Sequence, residues 1–231
     1  GDDIAELIYR NADLKQGDIL CIASTIVSKA NGYSRRLADM VPGEQAERIG
    51  SITGEDPRFL QVVLDQASEV ILETPFTLTA LACGHVGVRS GVDASNGEDG
   101  TAIFLPPDPM EETRKLSLRI KELSGIDCGV ILTDTCGRAF RRGQTGHAIG
   151  WYGMSAIRDF RGDTDLFGKV LEITEEAVVD EIAGFANLIM GESNNGVPVV
   201  LFRGCPKWKG HDNIYFTESE DIIRRSLKKG D

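Results

Sequence analysis

The sequence lacks several features that would each point to a definite class of protein. No apolar run approaches the roughly 20 residues that span a bilayer, so no membrane helix is predicted. The five cysteines are odd in number and include no C-x-x-C pair. Their pattern excludes a disulfide framework and a zinc site and indicates a reducing, cytoplasmic setting. Neither the P-loop motif nor G-x-G-x-x-G occurs, so neither standard nucleotide-binding loop is predicted.

Positive charge is also scarce. The chain has 25 lysines and arginines against 36 acidic residues, which gives a formal net charge of -11. Such an acidic chain is not expected to bind nucleic acid. Its acidic, amphipathic start resembles neither a signal peptide nor a transit peptide. With 231 residues, 41% of them hydrophobic, it can form one large domain or two small ones around a real core.

Apolar spacing and turn residues predict the order of helices and strands. Helices are predicted over 2–10, 57–68, 110–123, 172–190 and 218–230. Short apolar runs predict strands over 18–25, 69–74, 78–88, 128–134 and 197–204. Polar or Gly-rich segments predict loops over 28–37 and 91–100 and irregular structure over 143–169.

Helices and strands mix without strict alternation in this pattern. The predicted fold class is therefore α+β, a mixed α/β arrangement, rather than a doubly wound sheet. On the long helix over 172–190, one side is expected to be buried. Its apolar residues are Ile173, Val178, Val179, Ile182, Phe185 and Ile189.

One aspartate directly follows the clearest buried strand. Residues 128–132 are mostly apolar, and Asp134 and Thr135 come just after them. A carboxylate beside a hydroxyl at the end of a strand suits a hard divalent cation such as Mg²⁺ or Mn²⁺. The alternative is a local role, in which Asp134 forms a turn and Thr135 caps it. The pattern alone leaves both interpretations open.

A cluster of arginines follows that aspartate in an otherwise acidic chain. Arg138, Arg141 and Arg142 share a predicted loop with Gly137 and Gly143. Guanidinium groups match the geometry of phosphates and carboxylates, so beside a metal they would hold a substrate anion or stabilise transition-state charge. The alternative is a solvated loop that pairs with acidic helices elsewhere.

Other polar groups that suit a metal-bound phosphate chain follow other predicted elements. Asp93 and Asn96 form a second oxygen-rich segment, and Glu192 lies in a Gly/Asn turn after the long helix. Lys29 follows the first strand and would meet phosphate as a point charge. Each has an ordinary alternative as a turn residue, a helix end or a surface lysine. The three histidines are far apart and indicate no catalytic pair. The residues alone predict a soluble, metal-dependent enzyme that acts on phosphorylated or carboxylated small molecules.

Six segments, spread over nearly the whole chain, carry a family resemblance. In chain order they are STIVSKANG, GVDASN, LPPDP, VILTDTCGRAFRRGQTGHAIG, DLFGKVLEITEEAVVDEIA and GVPVVLFRG. Together they resemble the coenzyme F420-0:L-glutamate ligase family, typical of archaea and actinobacteria. The resemblance implies a GTP-dependent amide ligase that joins L-glutamate to the terminal carboxylate of F420-0 and then adds a γ-linked glutamate. An acyl phosphate is the implied intermediate, with release of GDP and phosphate.

The resemblance also implies ions, assembly and architecture. Mg²⁺ or Mn²⁺ is expected, together with K⁺, and the expected assembly is a homodimer. Each subunit is expected to have two intimately packed α/β subdomains, without a standard Rossmann or P-loop fold. Their approximate bounds are 1–93 with 185–231 for the nucleotide-binding part, and 94–184 for an inserted part that carries the Asp134 loop. A Gly/Pro-containing strand that contacts the nucleotide is expected to precede this sequence.

The family's site residues carry over onto individual positions. The implied metal ligands are Asp93, Asp134, Thr135 and Glu192. The implied nucleotide contacts are Ser24, Thr25, Lys29, Asn96, Met190, Gly191, Glu192, Ser193, Asn194, Asn195, Gly196 and Val197. The expected catalytic group is Asp134 with Arg138, Arg141 and Arg142, where the arginines bind glutamate carboxylates, the F420 phosphodiester or the acyl phosphate.

Three other functions stay open at this point. The chain could be a related ligase with another carboxylate acceptor, because the metal and nucleotide residues do not distinguish acceptors. It could be a metal-dependent phosphohydrolase or nucleotidyl transferase that uses the same carboxylates. A non-catalytic nucleotide-binding domain is the third, and it fits least well with so many oxygen ligands at the ends of strands and helices.

Overall fold

Residues 1–95, 97–217 and 219–227 are described by a computed structural model, and this part of the chain mixes helices with strands. The helices are α1 (Ile4–Asn11), α2 (Ser24–Asn31), α3 (Glu44–Thr53), α4 (Pro57–Gln66), α5 (Pro109–Ser124), α6 (Val178–Met190) and α7 (Ile222–Leu227). The strands are β1 (Ile19–Ala23), β2 (Ser34–Arg36), β3 (Glu69–Leu72), β4 (Leu78–Ala80), β5 (Val86–Val88), β6 (Thr101–Ile103), β7 (Gly129–Arg138), β8 (Arg141–Tyr152), β9 (Ile157–Asp159), β10 (Glu175–Glu176), β11 (Val199–Phe202) and β12 (Gly210–His211). The predicted α+β class is confirmed.

A four-stranded central sheet organises the molecule, with strand order β11-β1-β7-β8. Leu20 and Ile22 of β1 face a hydrophobic core shared with α1 and α5, whereas Ile19 and Cys21 face a second core shared with α6. Successive side chains of a strand point to opposite faces, so this alternation buries both faces of β1. The sheet therefore lies between two helical layers.

The pairing of β1 with β7 places two distant chain segments at one edge of this sheet. The two strands are parallel, and Ala23 is the partner of Thr133. The pairing ends there, because β1 gives way to α2 at Ser24, while β7 continues past this edge through Asp134. Three smaller sheets, β2-β6, β3-β4-β5 and β10-β9-β12, surround this frame.

The helices that the sequence predicts best begin with matching local signals. Asp3, Asp56 and Asp108 each accept a backbone N–H bond at the start of α1, α4 and α5. Pro57 and Pro109 stand at the first helical position, where a missing N–H has no consequence. The predicted helices over 2–10, 57–68 and 110–123 are confirmed.

The prediction for residues 18–37 is wrong in its middle part. The strand ends at Ala23, and α2 occupies Ser24–Asn31, where the end of the strand and a loop were expected. Val27 of this helix is 1% exposed and packs in the core beside β1. The burial of Val27 stabilises this helix, which the turn-forming residues of SKANG do not predict. Gly32, with a φ of 70°, ends it in the left-handed conformation.

The prediction for the segment after Asp134 is also wrong. β7 continues to Arg138, and β8 runs from Arg141 to Tyr152, where irregular structure was expected from residue 143 onward. The two strands form a long antiparallel hairpin, in which Thr135 is the partner of Gly146. Each strand satisfies the other's backbone groups, so the outer half of the hairpin can be polar and exposed.

Two further predicted elements differ from the structure. The expected strand over 78–88 is the pair β4 and β5, joined by a turn in which Gly84 has a φ of 97°. The long helix begins only at Val178, and Ile173, Phe185 and Ile189 are 87%, 56% and 45% exposed. The side that α6 buries carries Val179, Ile182, Ala183, Ala186 and Met190.

The remaining predicted bounds have mixed outcomes. The C-terminal helix is confirmed over Ile222–Leu227, while residues 218 and 228–231 lie outside the described residues. The two expected subdomains stay a prediction, and the central sheet takes strands from both of them. None of the helices in the described part of the chain has the length and apolarity needed to cross a bilayer.

Candidate functional site

Asp134 lies at the carboxyl edge of the central sheet beside the start of α2. The Ser24 hydroxyl donates a hydrogen bond of 2.9 Å to Asp134 Oδ1. Burial raises the pKa of the Asp134 carboxyl to about 6, and repulsion from Glu192 and Asp93 adds to the rise, although the Ser24 bond opposes it. Asp134 is thus a half-buried acid whose charge no cationic side chain among the described residues neutralises by a salt bridge.

A glycine lets a neighbouring segment come close to this carboxylate. Gly91 has a φ of 66°, and a Cβ at this position would lie 2.5 Å from Leu105 Cδ1 and 3.4 Å from Asp134 Oδ2. Any side chain here would clash with Leu105. The approach of this segment toward Asp134 therefore requires glycine.

Glu192 reaches the same place from the end of α6. The Thr135 hydroxyl donates a hydrogen bond of 2.8 Å to Glu192 Oε1. The Asn187 side-chain amide donates to both the Thr135 hydroxyl, at 3.2 Å, and Glu192 Oε1. These bonds tie the turn after α6 to β7, so Glu192 is held beside the strand that carries Asp134.

Asp93 comes from a third part of the chain, next to the strand β6. Its backbone pairs with that of Ile103 through two hydrogen bonds of 2.9 and 2.8 Å. The Asp93 carboxylate accepts bonds from Ser95, at 2.8 Å from the backbone N–H and also from the hydroxyl. Asn96, the other predicted group of this segment, lies outside the described residues.

These residues line one cavity of about 530 Å³. It collects the three carboxylates of Asp93, Asp134 and Glu192, which come from widely separated parts of the chain. The other polar residues that line it are Ser24, Thr25, Ser28, His85, Arg89, Ser95, Thr135 and Gln144. The structure thus brings all four predicted metal ligands to one cavity, together with Ser24 and Thr25.

The other predicted nucleotide contacts that belong to the described residues do not line this cavity. Lys29 and Gly196 line a second, mostly apolar groove of about 780 Å³, on another side of α2. The Met190 side chain is 7% exposed and belongs to the core under α6. Five of the other residues form the exposed or half-exposed turn after α6: Gly191, Ser193, Asn194, Asn195 and Val197.

The predicted arginines lie around the tip of the β7–β8 hairpin. Arg138 is the strand partner of Arg141, and Phe140 between them has a φ of 62° and is 98% exposed. Neither these two arginines nor Arg142 lines the cavity. Gly137 and Gln144, on the same hairpin but nearer to the sheet, do line it.

Two residues that line the cavity carry chemistry that the sequence does not reveal. His85, in the turn before β5, is 6% exposed, and burial lowers its pKa to about 4, helped by the nearby His147. Its imidazole is therefore neutral at physiological pH. Arg89 follows β5 directly. The predicted strand over 78–88 ends at Val88, as β5 does, so the pattern that marked Asp134, a polar group just after a strand, applies to Arg89 as well.

The oxygens of Asp93, Asp134 and Glu192 do not all lie within 4.8 Å of one another, in contrast to a group elsewhere in the described residues. That group consists of Asp159, Glu175 and His211, on β9, β10 and β12. His211 Nδ1 accepts the Asn213 N–H at 3.2 Å, so the proton is on Nε2, which donates to Glu175 at 2.6 Å. Arg161 also pairs with Asp159 at 2.7 Å, so hydrogen bonds and an ion pair already join the members of this group.

Comparison with known proteins gives one consistent family. Residues 1–204 match the family described as F420-0:Gamma-glutamyl ligase. A protein of Archaeoglobus fulgidus named Coenzyme F420:L-glutamate ligase is 47% identical over 231 residues, which cover 99% of this chain and 93% of the relative. Proteins with the same name from Halobacterium salinarum and Methanosarcina mazei are 45% and 46% identical over 99% of this chain and 92% and 91% of their own lengths. The similarity extends over nearly the whole length of each pair.

Proposed function

The chain belongs to the F420-0:gamma-glutamyl ligase family, and from that premise we propose that it is a GTP-dependent amide ligase. It joins L-glutamate to the terminal carboxylate of coenzyme F420-0 and then adds a γ-linked glutamate. Each amide bond consumes one GTP and releases GDP and phosphate. The observation that carries this proposal is the gathering of Asp93, Asp134 and Glu192 in one cavity beside the N-terminus of α2.

The acidic cavity fits divalent ions on chemical grounds. Carboxylates and a hydroxyl are the hard oxygen ligands that Mg²⁺ and Mn²⁺ prefer. The raised pKa of Asp134 reflects burial and like-charge repulsion that a cation would relieve. Asp93, Asp134, Thr135 and Glu192 would hold the ions, whose bound charge neutralises phosphate oxygens. The oxygens of the three carboxylates are not all within 4.8 Å of one another, so phosphate oxygens and water would supply the other ligands.

The N-terminus of α2 suits the phosphate chain of the nucleotide. Ala23, at the cap position, makes no side-chain hydrogen bond to the first turn, so the N–H groups there are available to an anion. Ser24 and Thr25 belong to that turn and line the cavity. The turn after α6 contributes Glu192 to the cavity and Gly196 to the second groove. A nucleotide would lie along this turn, with its phosphates in the cavity and Lys29 beside it.

The reaction follows from the chemistry of a carboxylate, which is too poor an electrophile to react with an amine directly. A carboxylate oxygen of the acceptor takes the γ-phosphoryl group of GTP, which yields an acyl phosphate and GDP. The glutamate amine then attacks the acyl carbon, the bond to the phosphate oxygen breaks, and phosphate leaves with the electron pair. The chain's own part is to hold both reactants in one cavity and to orient them through α2 and β7.

A monovalent K⁺ ion and a homodimer belong to the same proposal and rest on the family alone. Turnover in K⁺ compared with Na⁺ at equal ionic strength tests the ion. Sedimentation or light scattering of the purified protein tests the dimer. Either can fail without contradicting the ligase reaction itself.

Mass spectrometry of F420-0 incubated with the protein, GTP, Mn²⁺ and L-glutamate tests the proposed reaction. The expected products carry one and then two added glutamate residues, and none forms when GTP or glutamate is left out. Release of phosphate from GTP without glutamate and acceptor would identify a phosphohydrolase instead. Ligation of glutamate to another carboxylate, but not to F420-0, would identify a ligase with a different acceptor.

A further inference from the structure

Arg89 is the only lysine or arginine among the described residues that line the cavity. The same cavity is lined by three acidic residues, Asp93, Asp134 and Glu192. In the proposed reaction, every substrate that enters is an anion, and glutamate brings two carboxylates. Divalent ions on the acidic residues would meet the phosphate groups. The carboxylates of the amino acid need another positive partner.

The Arg89 side chain is held in place with part of its binding capacity free. Its Nε forms an ion pair with Glu55 Oε1 at 2.7 Å, and its guanidinium carbon lies 5.9 Å from the centroid of the Phe59 ring. The two terminal nitrogens have no hydrogen-bond partner among the described residues. The Arg89 side chain is 48% exposed, and that of Glu55 is 18% exposed. A guanidinium oriented in this way can still form paired bonds to a carboxylate.

The backbone around Arg89 is held in an uncommon conformation. Arg89 and Ser90 have φ angles of 56° and 54°, in the left-handed region that residues with a Cβ rarely adopt. The Arg89 N–H donates to the Thr77 carbonyl at 2.7 Å, and the Ser90 N–H donates to the Thr79 hydroxyl at 3.0 Å. These bonds offset the backbone strain at Arg89 and Ser90. Gly91, which approaches Asp134, follows them in the chain.

From these relationships we propose that Arg89 binds a carboxylate of the incoming amino acid, an inference that rests on the proposed ligase function. It is a specificity-determining residue for the amine substrate. The hairpin arginines Arg138, Arg141 and Arg142 do not line the cavity and are not its equivalents. Glu55 acts through Arg89 and is a positioning residue.

Steady-state kinetics of Arg89→Lys and Arg89→Gln, with each substrate varied in turn, test this role. The expected result is a KM for glutamate raised by about 10- to 100-fold, the usual range for a lost charge-assisted hydrogen bond. The KM values for GTP and F420-0 should stay within about twofold, because phosphate binding is assigned elsewhere. Glu55→Gln should give a smaller rise in the KM for glutamate, with Arg89 retained but less well oriented.

Two substrate analogues identify which carboxylate is bound. 4-Aminobutanoate lacks the α-carboxylate of glutamate, and 2-aminobutanoate lacks the side-chain carboxylate. The wild-type enzyme should discriminate against both, through kcat/KM. Arg89→Gln should lose discrimination against the analogue that lacks the bound carboxylate and keep it against the other.

Arg158→Gln is the matched control. Arg158 also stacks on an aromatic ring, at 4.3 Å from the centroid of Phe160, and neither residue lines the cavity. Its kinetics should match those of the wild type, and all variants should keep the wild-type circular dichroism spectrum and melting temperature within a few degrees. Should the Arg89→Lys protein melt early, Glu55→Gln supplies the same test without changing the arginine.

The kinetic results distinguish a wrong role for Arg89 from a wrong proposed function. An active wild-type ligase whose KM for glutamate is unchanged in Arg89→Gln overturns the inference alone. A change confined to the KM for GTP or for F420-0 also overturns it, since Arg89 would then meet a phosphate or the acceptor. A wild-type protein that forms no amide bond overturns the proposed function as well.

Discussion

Ser24 and Asp134 are joined by a hydrogen bond of 2.9 Å although 110 residues separate them in the chain. The bond exists because β1 and β7 pair in parallel. Their last paired residues, Ala23 and Thr133, directly precede Ser24 and Asp134. The bond connects the first residue of α2 to the half-buried carboxylate of the cavity. Two halves of the proposed site, for phosphate and for metal, thus meet in a single contact.

Replacing Ser24 with Ala should weaken the ligase more than the fold. The hydroxyl lowers the pKa of Asp134, so its loss would favour the protonated form, which is a poorer metal ligand. We expect kcat/KM to fall about tenfold and the free energy of unfolding to fall by about 1 kcal/mol. Ser51→Ala, which removes an exposed hydroxyl from α3, is the control and should change neither quantity. Equal turnover in the two variants would contradict a role for Ser24.

Replacing Asp134 with Asn should abolish ligation and stabilise the ligand-free protein. The pKa of Asp134 is raised from 3.8 to about 6, so the folded protein binds the extra proton between these values and loses stability as pH rises through them. Asn carries no charge and escapes this loss. At pH 7, a gain of about 1 kcal/mol would raise the melting temperature by about 2 to 4 °C.

Calorimetry with and without Mn²⁺ and GTP checks the Asp134 variant further. The wild-type melting temperature should rise with both ligands by mass action, and that of Asp134→Asn should not. Asp65→Asn, on the exposed side of α4, controls for removing an acidic charge. Undiminished turnover of Asp134→Asn would show that the metal assignment is wrong.

His85 should make the protein less stable in mild acid. Its folded-state pKa of about 4 lies below the ordinary value of 6.5, so the unfolded chain takes up the proton first as pH falls. The free energy of unfolding should therefore be unaffected by His85 above about pH 6.5. It should fall by about 3 kcal/mol in total as the pH is lowered to 4. Urea unfolding of wild type and His85→Asn across this range measures it, and NMR titration of the ring gives the pKa directly. A ring that titrates near 6.5 would contradict this expectation.

Gly91→Ala should be more damaging than another glycine replacement with a similar backbone conformation. Gly91 and Gly100 have φ angles of 66° and 76°, so alanine is strained at both. Only at Gly91 would the new Cβ meet a neighbour, at 2.5 Å from Leu105 Cδ1, whereas nothing lies within 4 Å at Gly100. We expect Gly91→Ala to lose about 1 to 3 kcal/mol more than Gly100→Ala in urea unfolding and to lose ligation. Similar losses at both positions would mean that the Leu105 contact relaxes freely.

Helices with their own end signals are the part of the fold that the sequence predicts well. Asp56 followed by Pro57, and Asp108 followed by Pro109, mark α4 and α5 by capping chemistry that needs no distant partner. α2 has no side-chain cap, and it is stabilised by the burial of Val27 against the central sheet. The β7–β8 hairpin depends on pairing between two strands. The apolar pattern of each segment alone predicts a strand that ends at residue 134.

The candidate site also has a part that the sequence predicts and a part that depends on tertiary contacts. The types of residue at Asp93, Asp134 and Glu192, together with their places at the ends of strands and helices, predicted carboxylates for a metal. The structure places these residues in one cavity. The role of the hairpin arginines stays a prediction. They lie at the far end of β7 and at the start of β8 and do not line the cavity, whereas Arg89 does.

The sequence by itself determined the α+β class, the capped helices, the apolar strand that leads to Asp134 and the family to which the chain belongs. These depend on local propensity, on the spacing of apolar residues and on motifs, all of which are properties of neighbouring residues. Only the tertiary structure decided which polar groups share the cavity. That choice depends on the parallel pairing of β1 with β7 and on the close approach that Gly91 allows, contacts between residues far apart in the chain.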